Sequence, residues 1–195
     1  MTLSDRIMSE AKKAPQGRLV SPVDFLDAAP RGSVDKAMSR LVQRGKLVRI
    51  GRSLYAASLR GERGPYAPPV EKVLASLSKR TGETFVPQGS MSANLLGLSK
   101  HVPLQTTWLT SGKSRTLRFG KGEVQIKNAP VWKISLGNRP AGDLVRALDS
   151  LGPKEAERVL ADMPKTFPGK EWKALDAARP MLPAWMSRLI GKVLP

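Results

Sequence analysis

Residues 33–44 restrict the fold of this chain more than any other segment, because their apolar side chains recur with the period of an α-helix. The spacing i, i+3, i+4, i+7, i+8 puts one apolar group on a single face: Val34, Ala37, Met38, Leu41 and Val42. The other face carries polar and basic side chains: Lys36, Ser39, Arg40, Gln43 and Arg44. Gly45 follows, a residue type that commonly ends helices. We therefore predict an amphipathic helix that buries one face and exposes a basic one.

The segments around this helix complete an informative order of elements. We predict a helix over residues 3–14, a strand over 18–20, a short capped helix over 22–28, and two β-prone runs over 47–50 and 53–57. The two runs are hinged at Gly51 and Arg52, which places an arginine at the tip of a hairpin. Helix, strand, helix, helix and hairpin in this order are typical of a winged helix-turn-helix. We predict such a DNA-binding domain over residues 1–60.

The rest of the chain has the pattern of an α/β domain. Residues 61–69 hold glycine and proline among charges and are predicted to be a linker to a domain over residues 70–195. The predicted elements of that domain are a helix over 70–79, a strand over 84–86, a helix over 90–98, an antiparallel meander over 105–110, 115–119 and 123–127, and helices led by Pro140 and Pro153 and around Trp172 and Trp185. The predicted fold class is α+β, an N-terminal winged helix-turn-helix domain followed by an α/β domain with a small meander and C-terminal helices.

The charge of the chain points to a polyanionic partner. Against 33 lysines and arginines stand 16 acidic residues, which gives a formal net charge of +17 over 195 residues. The basic residues are spread along the predicted folded segments, so no basic tail accounts for the excess. This distribution favours a nucleic-acid-binding surface, with a ribosome-associated or membrane-surface role as the alternative.

Several chemistries are disfavoured by composition. The chain has no cysteine and a single histidine, His101, so thiolate zinc sites and imidazole-rich metal sites are excluded. His101 falls in a predicted loop with no nucleophile motif beside it, and Glu123 is the sole acid of the predicted meander. We expect no metal, no cofactor and no small-molecule substrate. The chain shows no signal-peptide pattern and no apolar run of about 18 residues, so we expect a cytoplasmic protein without a membrane partner.

The tetrapeptide Ser111-Gly112-Lys113-Ser114 resembles part of a nucleotide-binding phosphate loop. That loop requires GxxxxGK[ST], yet Thr107 stands where its first glycine belongs. A helix should also follow the lysine, whereas residues 115–119 alternate with the period of a strand. We predict a basic hairpin turn instead.

The candidate DNA-binding site is the basic face of the helix over 33–44. Such a helix lies in the major groove in related motifs, so Lys36, Ser39, Arg40 and Arg44 would face bases or phosphates. Arg52 at the hairpin tip would reach the minor groove or the backbone. Backbone contacts that set the register are predicted for Arg31, Lys46 and Arg49.

A second basic group falls on the predicted meander: Lys113, Arg115, Arg118 and Lys121. Three uses of this group stay open. It could extend the DNA footprint, it could meet an acidic protein or RNA, or it could be a solvated sheet face. The apolar face of the last predicted helix likewise leaves core packing and partner docking open.

The motifs resemble a known family, the AbiE-type antitoxins of bacterial abortive-infection (type IV toxin–antitoxin) systems, in particular their short single-chain members. The resemblance rests on SPVDFLDAAPRGSVDKAMSRLVQRGKLVRIGRSLYA at 21–56, PQGSMSANLLGLSKHVP at 87–103 and WLTSGKSRTLRFG at 108–120, and it covers roughly residues 1–150. It implies a winged helix-turn-helix followed by an antitoxin domain. The recognition-helix positions would fall on Ser33, Lys36, Ser39, Arg40 and Arg44, and the wing on Arg49 and Arg52.

The function implied by this resemblance has two parts. The first domain would repress a toxin–antitoxin operon by binding inverted repeats in double-stranded DNA, and the second would neutralise a nucleotidyltransferase-like toxin. The family transfers no catalytic residues, so we expect no enzymatic activity. The alternatives are a stand-alone winged-helix regulator and a basic protein or RNA interaction module without a toxin partner.

Overall fold

The chain is an α+β protein that divides into two compact units. A computed structural model describes residues 1–99, 106–120, 122–163 and 167–194. Unit 1 comprises Met1–Glu83 and Arg115–Gln125, and unit 2 comprises Thr84–Ser114 and Ile126–Pro195. Within the described ranges, no helix is both long and apolar enough to cross a membrane.

The elements follow one another in an order close to the prediction. Up to residue 81 they are α1 (Leu3–Lys12), β1 (Leu19–Val20), a 3-10 helix (Pro22–Phe25), α2 (Arg31–Gln43), β2 (Leu47–Gly51), β3 (Leu54–Ala57), β4 (Leu59–Gly61), β5 (Gly64–Tyr66) and α3 (Val70–Thr81). Beyond it they are β6 (Phe85–Pro87), α4 (Gly89–Leu95), β7 (Thr107–Thr110), β8 (Arg115–Phe119), β9 (Gly122–Asn128), α5 (Val131–Ile134), α6 (Pro140–Leu151), α7 (Pro153–Asp162), α8 (Gly169–Ala178) and α9 (Ala184–Val193).

The core of unit 1 forms around the apolar face of α2. Its buried side chains come from α1, β1, the 3-10 helix, α2 and the β2–β3 hairpin: Ile7, Ala11, Val20, Phe25, Val34, Ala37, Met38, Leu41, Leu47 and Tyr55. Four of the five predicted apolar positions of α2 are buried, and Val42 is partly buried against them. The predicted helical period is therefore confirmed, and it fixes which face of α2 meets the core.

The sheet of unit 1 is antiparallel with strand order β1-β3-β2. Leu19 pairs with Ala56 in β3, and Leu47 pairs with Ala57 on the other side of that strand. A bulge between Arg49 and Gly51 interrupts the β2–β3 ladder just before the hairpin turn. The predicted hairpin is confirmed in place and extent.

Helix α3 is attached to the first part of unit 1 by polar contacts. The guanidinium of Arg80 donates to both carboxylate oxygens of Asp24 at 2.9 and 2.7 Å. Leu19 N–H donates to Ser76 Oγ at 2.9 Å. Asp24 also accepts from Ser21 N–H at 2.7 Å, so one carboxylate both caps the 3-10 helix and holds α3.

Three local predictions differ from the structure. The helix predicted over 22–28 is a 3-10 helix that ends at Phe25. Helix α2 begins at Arg31, inside the predicted break, because Pro30 takes the N-cap position with extended backbone. The segment predicted as linker contains part of the β4–β5 hairpin, in which Leu59 pairs with Tyr66. The predicted domain boundaries themselves remain a prediction.

The predicted meander is wrong in its strand order. In unit 2, β6 pairs antiparallel with β7, with Phe85 opposite Thr110, and the next strand in that order is β9. In unit 1, the neighbour of β8 is also β9. A meander would place β8 between β7 and β9. In the observed strand order, β9 instead stands between β7 and β8.

Unit 2 has a helical core drawn from α6 to α9. Its buried side chains include Leu144, Val145, Leu148, Ala156, Leu160, Trp172, Leu175, Leu182, Met186 and Ile190. The prolines predicted in first helical turns do begin α6 and α7. Met186 and Ile190 of α9 are fully buried. Core packing, one of the two uses left open for the last helix, thus occupies its apolar face.

Arg146 is a buried cation that joins the elements of unit 2. Its side chain is 1% exposed and donates to Asp143 Oδ1 at 2.6 Å, to Ser92 Oγ at 3.2 Å, and to the carbonyls of Lys133 and Gly137 at 3.1 Å each. These partners lie on α4, α5, α6 and the loop between the last two. A buried charge is tolerated where it is paired and hydrogen-bonded in this way.

Glu171 of α8 is a buried anion that contacts the first turn of α6. Arg139 donates to its two oxygens at 2.9 and 3.1 Å, and Ala141 N–H donates at 3.0 Å. Glu171 therefore satisfies a first-turn amide of α6, where a negative charge is also favoured by the helix dipole. The Arg139 guanidinium holds the pKa of Glu171 below its ordinary value of 4.5.

We expect Gly45→Ala to destabilise unit 1. Gly45 has φ +64, and a Cβ added there would lie 2.9 Å from Pro65 Cγ. The strained backbone and the contact should together cost about 1–2 kcal/mol of unfolding free energy, measured by chemical denaturation. The matched control is Gly32→Ala in the first turn of α2, where an added Cβ meets nothing within 4 Å. That control should be neutral or stabilising by up to about 1 kcal/mol, and equal losses in both variants would contradict the expectation.

We expect unit 2 to lose stability as the pH falls below about 4.5, the ordinary pKa of Glu171. Because the folded-state pKa is lower, the contribution is present above this pH and is lost as the pH falls through the folded value. Glu171→Gln should lower the Tm at pH 7 by roughly 3–8 °C and flatten its acid dependence. Glu157→Gln, in the exposed pair with Lys192, is the control and should change little. An unchanged Tm for Glu171→Gln would contradict the expectation that this carboxylate stabilises unit 2.

Candidate nucleic-acid interface

One face of α2 presents the predicted recognition residues to solvent. All of them are exposed: Ser33, Lys36, Ser39, Arg40 and Arg44. Because successive helical residues are rotated by about 100°, residues 33, 36, 40 and 44 fall within about 80° of one another. Ser39 lies outside this sector, about 60° beyond Lys36. The structure thus brings these residues together along about 17 Å of helix.

Ion pairing distinguishes the cations of this face from other arginines of unit 1. None of Lys36, Arg40 and Arg44 forms an ion pair with any residue that the structure describes. Elsewhere in unit 1, arginines such as Arg6 and Arg80 are paired with carboxylates. A row of cations without counterions on a helix creates a positive potential suited to an anionic ligand.

Arg31 is not part of this face. Its Nε donates to both oxygens of Asp35 at 3.2 and 3.0 Å, one helical turn later. The helical period places residues 31 and 35 about 160° or more from Ser33. Of the predicted backbone contacts, Arg31 is therefore already paired and lies on another side of α2.

The β2–β3 hairpin holds the other predicted wing residues. Arg52 is exposed at the tip, beside Ser53, whose φ of 56° marks the tight turn. Arg49 is exposed and its Nε donates to the Gly51 carbonyl at 3.4 Å, across the bulge. The hairpin tip therefore carries two solvent-facing arginines on a bulged, twisted ladder.

Lys46 is positioned by the end of α2. Its N–H donates to Leu41 O at 2.9 Å, and Gly45 N–H donates to Val42 O at 2.9 Å. This pair of bonds is the Schellman motif, which requires a left-handed residue at Gly45. It turns the chain sharply out of α2 and leaves the Lys46 side chain exposed.

The described residues of the second basic group are divided between the two units. Lys113 is exposed in unit 2, whereas Arg115 and Arg118 belong to unit 1. Arg115 donates to Glu83 at 2.7 Å and is half-buried. Arg118 is 75% exposed, with Glu123 3.8 Å away. Lys121 lies outside the described residues, as does His101.

The turn that resembles a phosphate loop lies between two strands, as predicted, but it is not the predicted hairpin turn, because β7 and β8 are not neighbours in the strand order. Gly112 N–H donates to Thr110 Oγ1 at 3.0 Å, and the Gly112 carbonyl accepts from the Asn128 side chain at 2.8 Å. Strand β8 begins at Arg115. The segment that follows Lys113 is therefore a strand, whereas a phosphate loop is followed by a helix N-terminus.

Two cations near the end of α2 were missed by sequence reasoning. Lys12 of α1 and Arg60 of β4 line the same cleft as Arg44 and Lys46. No local pattern marks them, because Lys12 stands at the end of a helix and Arg60 in a segment that has linker composition. Their proximity depends on the packing of α1 and on the unpredicted hairpin. Among the described side chains, no group of three His, Asp or Glu could hold a metal ion.

Comparison with known proteins places the chain in a family. No protein of curated function matches it. The crystal structure of the RV2827C protein from Mycobacterium tuberculosis is similar at a TM-score of 0.44 and 18% identity, over 97% of this chain and 80% of that chain. This level of similarity does not establish a shared fold. A family profile matches residues 6–166, most of the chain, and the chain therefore belongs to DUF6088, a family of unknown function.

Proposed function

We propose that unit 1 contains a winged helix-turn-helix and binds double-stranded DNA in a sequence-specific manner. The observation that carries the proposal is the exposed face of α2, whose cations form no ion pair within the described part of the chain and lie beside a hairpin with Arg52 at its tip. The order of helix, strand, short helix, helix and hairpin supports the same assignment.

Helix α2 would be the recognition helix. The major groove of DNA is about 12 Å wide and admits an α-helix. Lys36, Ser39 and Arg40 lie mid-helix and would face base edges, while Ser33 and Arg44 lie near its ends and would contact phosphates. Arg52 would reach the neighbouring minor groove or backbone, and Lys46 and Arg49 would hold the register. Each phosphate contact releases counterions, so binding weakens as salt rises.

The biological role we propose is that of an operator-binding repressor that is also the antitoxin of a type IV toxin–antitoxin system. The resemblance to AbiE-type antitoxins supports this role, together with the candidate interface on unit 1. The operator would carry inverted repeats, and the partner would be a nucleotidyltransferase-like toxin. The protein would act in the cytoplasm and have no enzymatic activity of its own.

An interaction module for an acidic protein or RNA is the second candidate function. The observation in its favour is Arg118, whose side chain is 75% exposed and 3.8 Å from Glu123. Its neighbour Leu117 is buried, with a terminal carbon 3.6 Å from where a Cβ on Gly51 would lie. Since strand side chains alternate, Arg118 faces away from β2. Its ion pair with Glu123 is exposed and therefore weak, so another acidic partner could replace it.

Replacing Arg40 and Arg52 together by alanine should strongly weaken specific DNA binding. A random-sequence duplex pool selected on the wild-type protein supplies the probe, and gel shifts measure affinity. Loss of one base contact and one backbone contact should weaken binding on the order of 100-fold and reduce the salt slope by about 1.

The control for this experiment is Arg158→Ala with Arg188→Ala, which removes two exposed arginines from unit 2. It loses the same net charge as the Arg40/Arg52 variant but none of the candidate interface residues. Its affinity for the duplex should therefore stay within about 2-fold of the wild type. Circular dichroism should show an intact fold for both double variants. Equal binding by the Arg40/Arg52 variant and the wild type would eliminate the DNA assignment.

Charge reversal at Arg118 should separate the two candidate functions. Because Arg118 faces away from β2, Arg118→Glu should leave duplex affinity within about 2-fold of the wild type. The same variant should weaken neutralisation of a toxin encoded beside the gene, measured as growth rescue on co-expression. Arg115 is unsuitable for this test, since it is paired with Glu83. A loss of DNA binding comparable to that of the Arg40/Arg52 variant would instead place β8 in the operator footprint.

A further inference from the structure

A cleft of about 740 Å³ lies within unit 1 at the C-terminal end of α2. Helix α1 forms one wall, and the β4–β5 hairpin forms the other. Four of its lining residues are cations: Lys12, Arg44, Lys46 and Arg60. Arg44 also belongs to the basic face of α2, so the cleft continues that face beyond the end of the helix.

The residues that line the cleft carry more positive than negative charge. None of its four cations forms an ion pair with a described residue, and all four are exposed. Asp5 is the one carboxylate among the lining residues. It accepts from Thr2 Oγ1 at 2.7 Å and from Thr2 N–H at 2.9 Å, which caps α1. These bonds, and to a smaller extent Lys46, hold the pKa of Asp5 below its ordinary value.

The backbone fixes the walls of the cleft. The Schellman bonds fix the backbone at Lys46, and Ser58 N–H donates to the Lys46 carbonyl at 3.0 Å. The Ser58 hydroxyl also donates to the Gly45 carbonyl. Gly64 contributes no side chain to the wall, and an added Cβ there would meet nothing within 4 Å, so the backbone at this point is open to a ligand. Cations held around a concave surface focus positive potential into it.

We propose that this cleft binds phosphate groups, supplied by the DNA backbone that flanks the segment read by α2. The residues that line it include no aromatic side chain, so nothing there would stack a base or a nucleoside. The ligand is recognised as a string of phosphates. This inference rests on the proposed function for its DNA source, while the phosphate chemistry rests on the cleft alone.

The cleft and the wing would then hold the duplex at two places. The β2–β3 tip carries Arg52 at the far end of β2, and the cleft opens where that strand begins at Leu47. Strand β2 spans about 16 Å, so the two cationic sites are separated by about that distance. Backbone contacts at two separated places would fix the direction of the helix along the groove, which base contacts from one face do not do alone.

The test uses Lys12→Gln combined with Arg60→Gln, two cleft cations outside α2. Affinity for the selected duplex should fall about 10-fold at 0.15 M salt, and the slope of log K against log salt should become shallower by about 2. Shortening the duplex stepwise from each end should reach a length at which the variant and the wild type bind equally. Lys72→Gln with Lys173→Gln, which removes the same charge outside the cleft, should retain wild-type affinity and slope.

The source of the phosphate is distinguished by a second probe. Tripolyphosphate titrated into the wild type, followed by NMR or calorimetry, reports free-phosphate binding without DNA. Binding of tripolyphosphate by the wild type, with loss in the Lys12/Arg60 variant, supports the phosphate site.

Two outcomes overturn the inference in distinguishable ways. Wild-type affinity and slope in the Lys12/Arg60 variant, with loss in the Arg40/Arg52 variant, would remove the cleft and leave the proposed function standing. A wild-type protein that enriches no duplex would remove both the proposed function and the DNA source. In that case, failure to bind tripolyphosphate would remove the phosphate site as well.

Discussion

Burial of one face of α2 is the constraint on which the candidate interface depends. Val34, Met38 and Leu41 are almost completely withdrawn from water, and together they contribute several kcal/mol of apolar burial that any rotation of the helix would forfeit. The direction in which Lys36 and Arg40 point is therefore set by the core and not by the cations themselves. Like charges that would otherwise separate are held in a row by the packing behind them.

Unit 2 depends on a different device, since its helices are joined by buried ions as well as by apolar contact. Arg146 links α4, α5 and α6, and Glu171 anchors α8 to the first turn of α6. Close approach of α4 to α6 also requires Gly89, where an added Cβ would lie 2.3 Å from the Arg146 carbonyl. Such interactions stabilise one arrangement because removing either partner leaves a buried charge uncompensated.

How much the sequence predicts depends on whether a feature is local. Helical period, Gly45 and the β-prone runs were sufficient to place α2 and the β2–β3 hairpin, because their determinants lie within a few residues. The order of β7, β8 and β9 was predicted wrongly, since strand composition says nothing about which neighbour a strand chooses. The cleft was missed for the same reason: Lys12 and Arg60 are 48 positions apart, and only tertiary packing brings them together. The backbone contact predicted for Arg31 stays a prediction, although Arg31 is paired with Asp35.

The double use of Asp24 has a consequence for how unit 1 melts. This carboxylate caps the short helix ahead of α2. It also accepts hydrogen bonds from both Nη atoms of Arg80 in α3. Val73 and Leu77 of α3 are buried as well, and Gly17 lets the chain pass against the backbone of α3. The segment that leads into α2 and the helix that follows the hairpins thus share one set of supports, so we expect them to lose order together. A fragment ending at residue 60 would keep the cations of α2 but lack part of what holds the preceding turn in place.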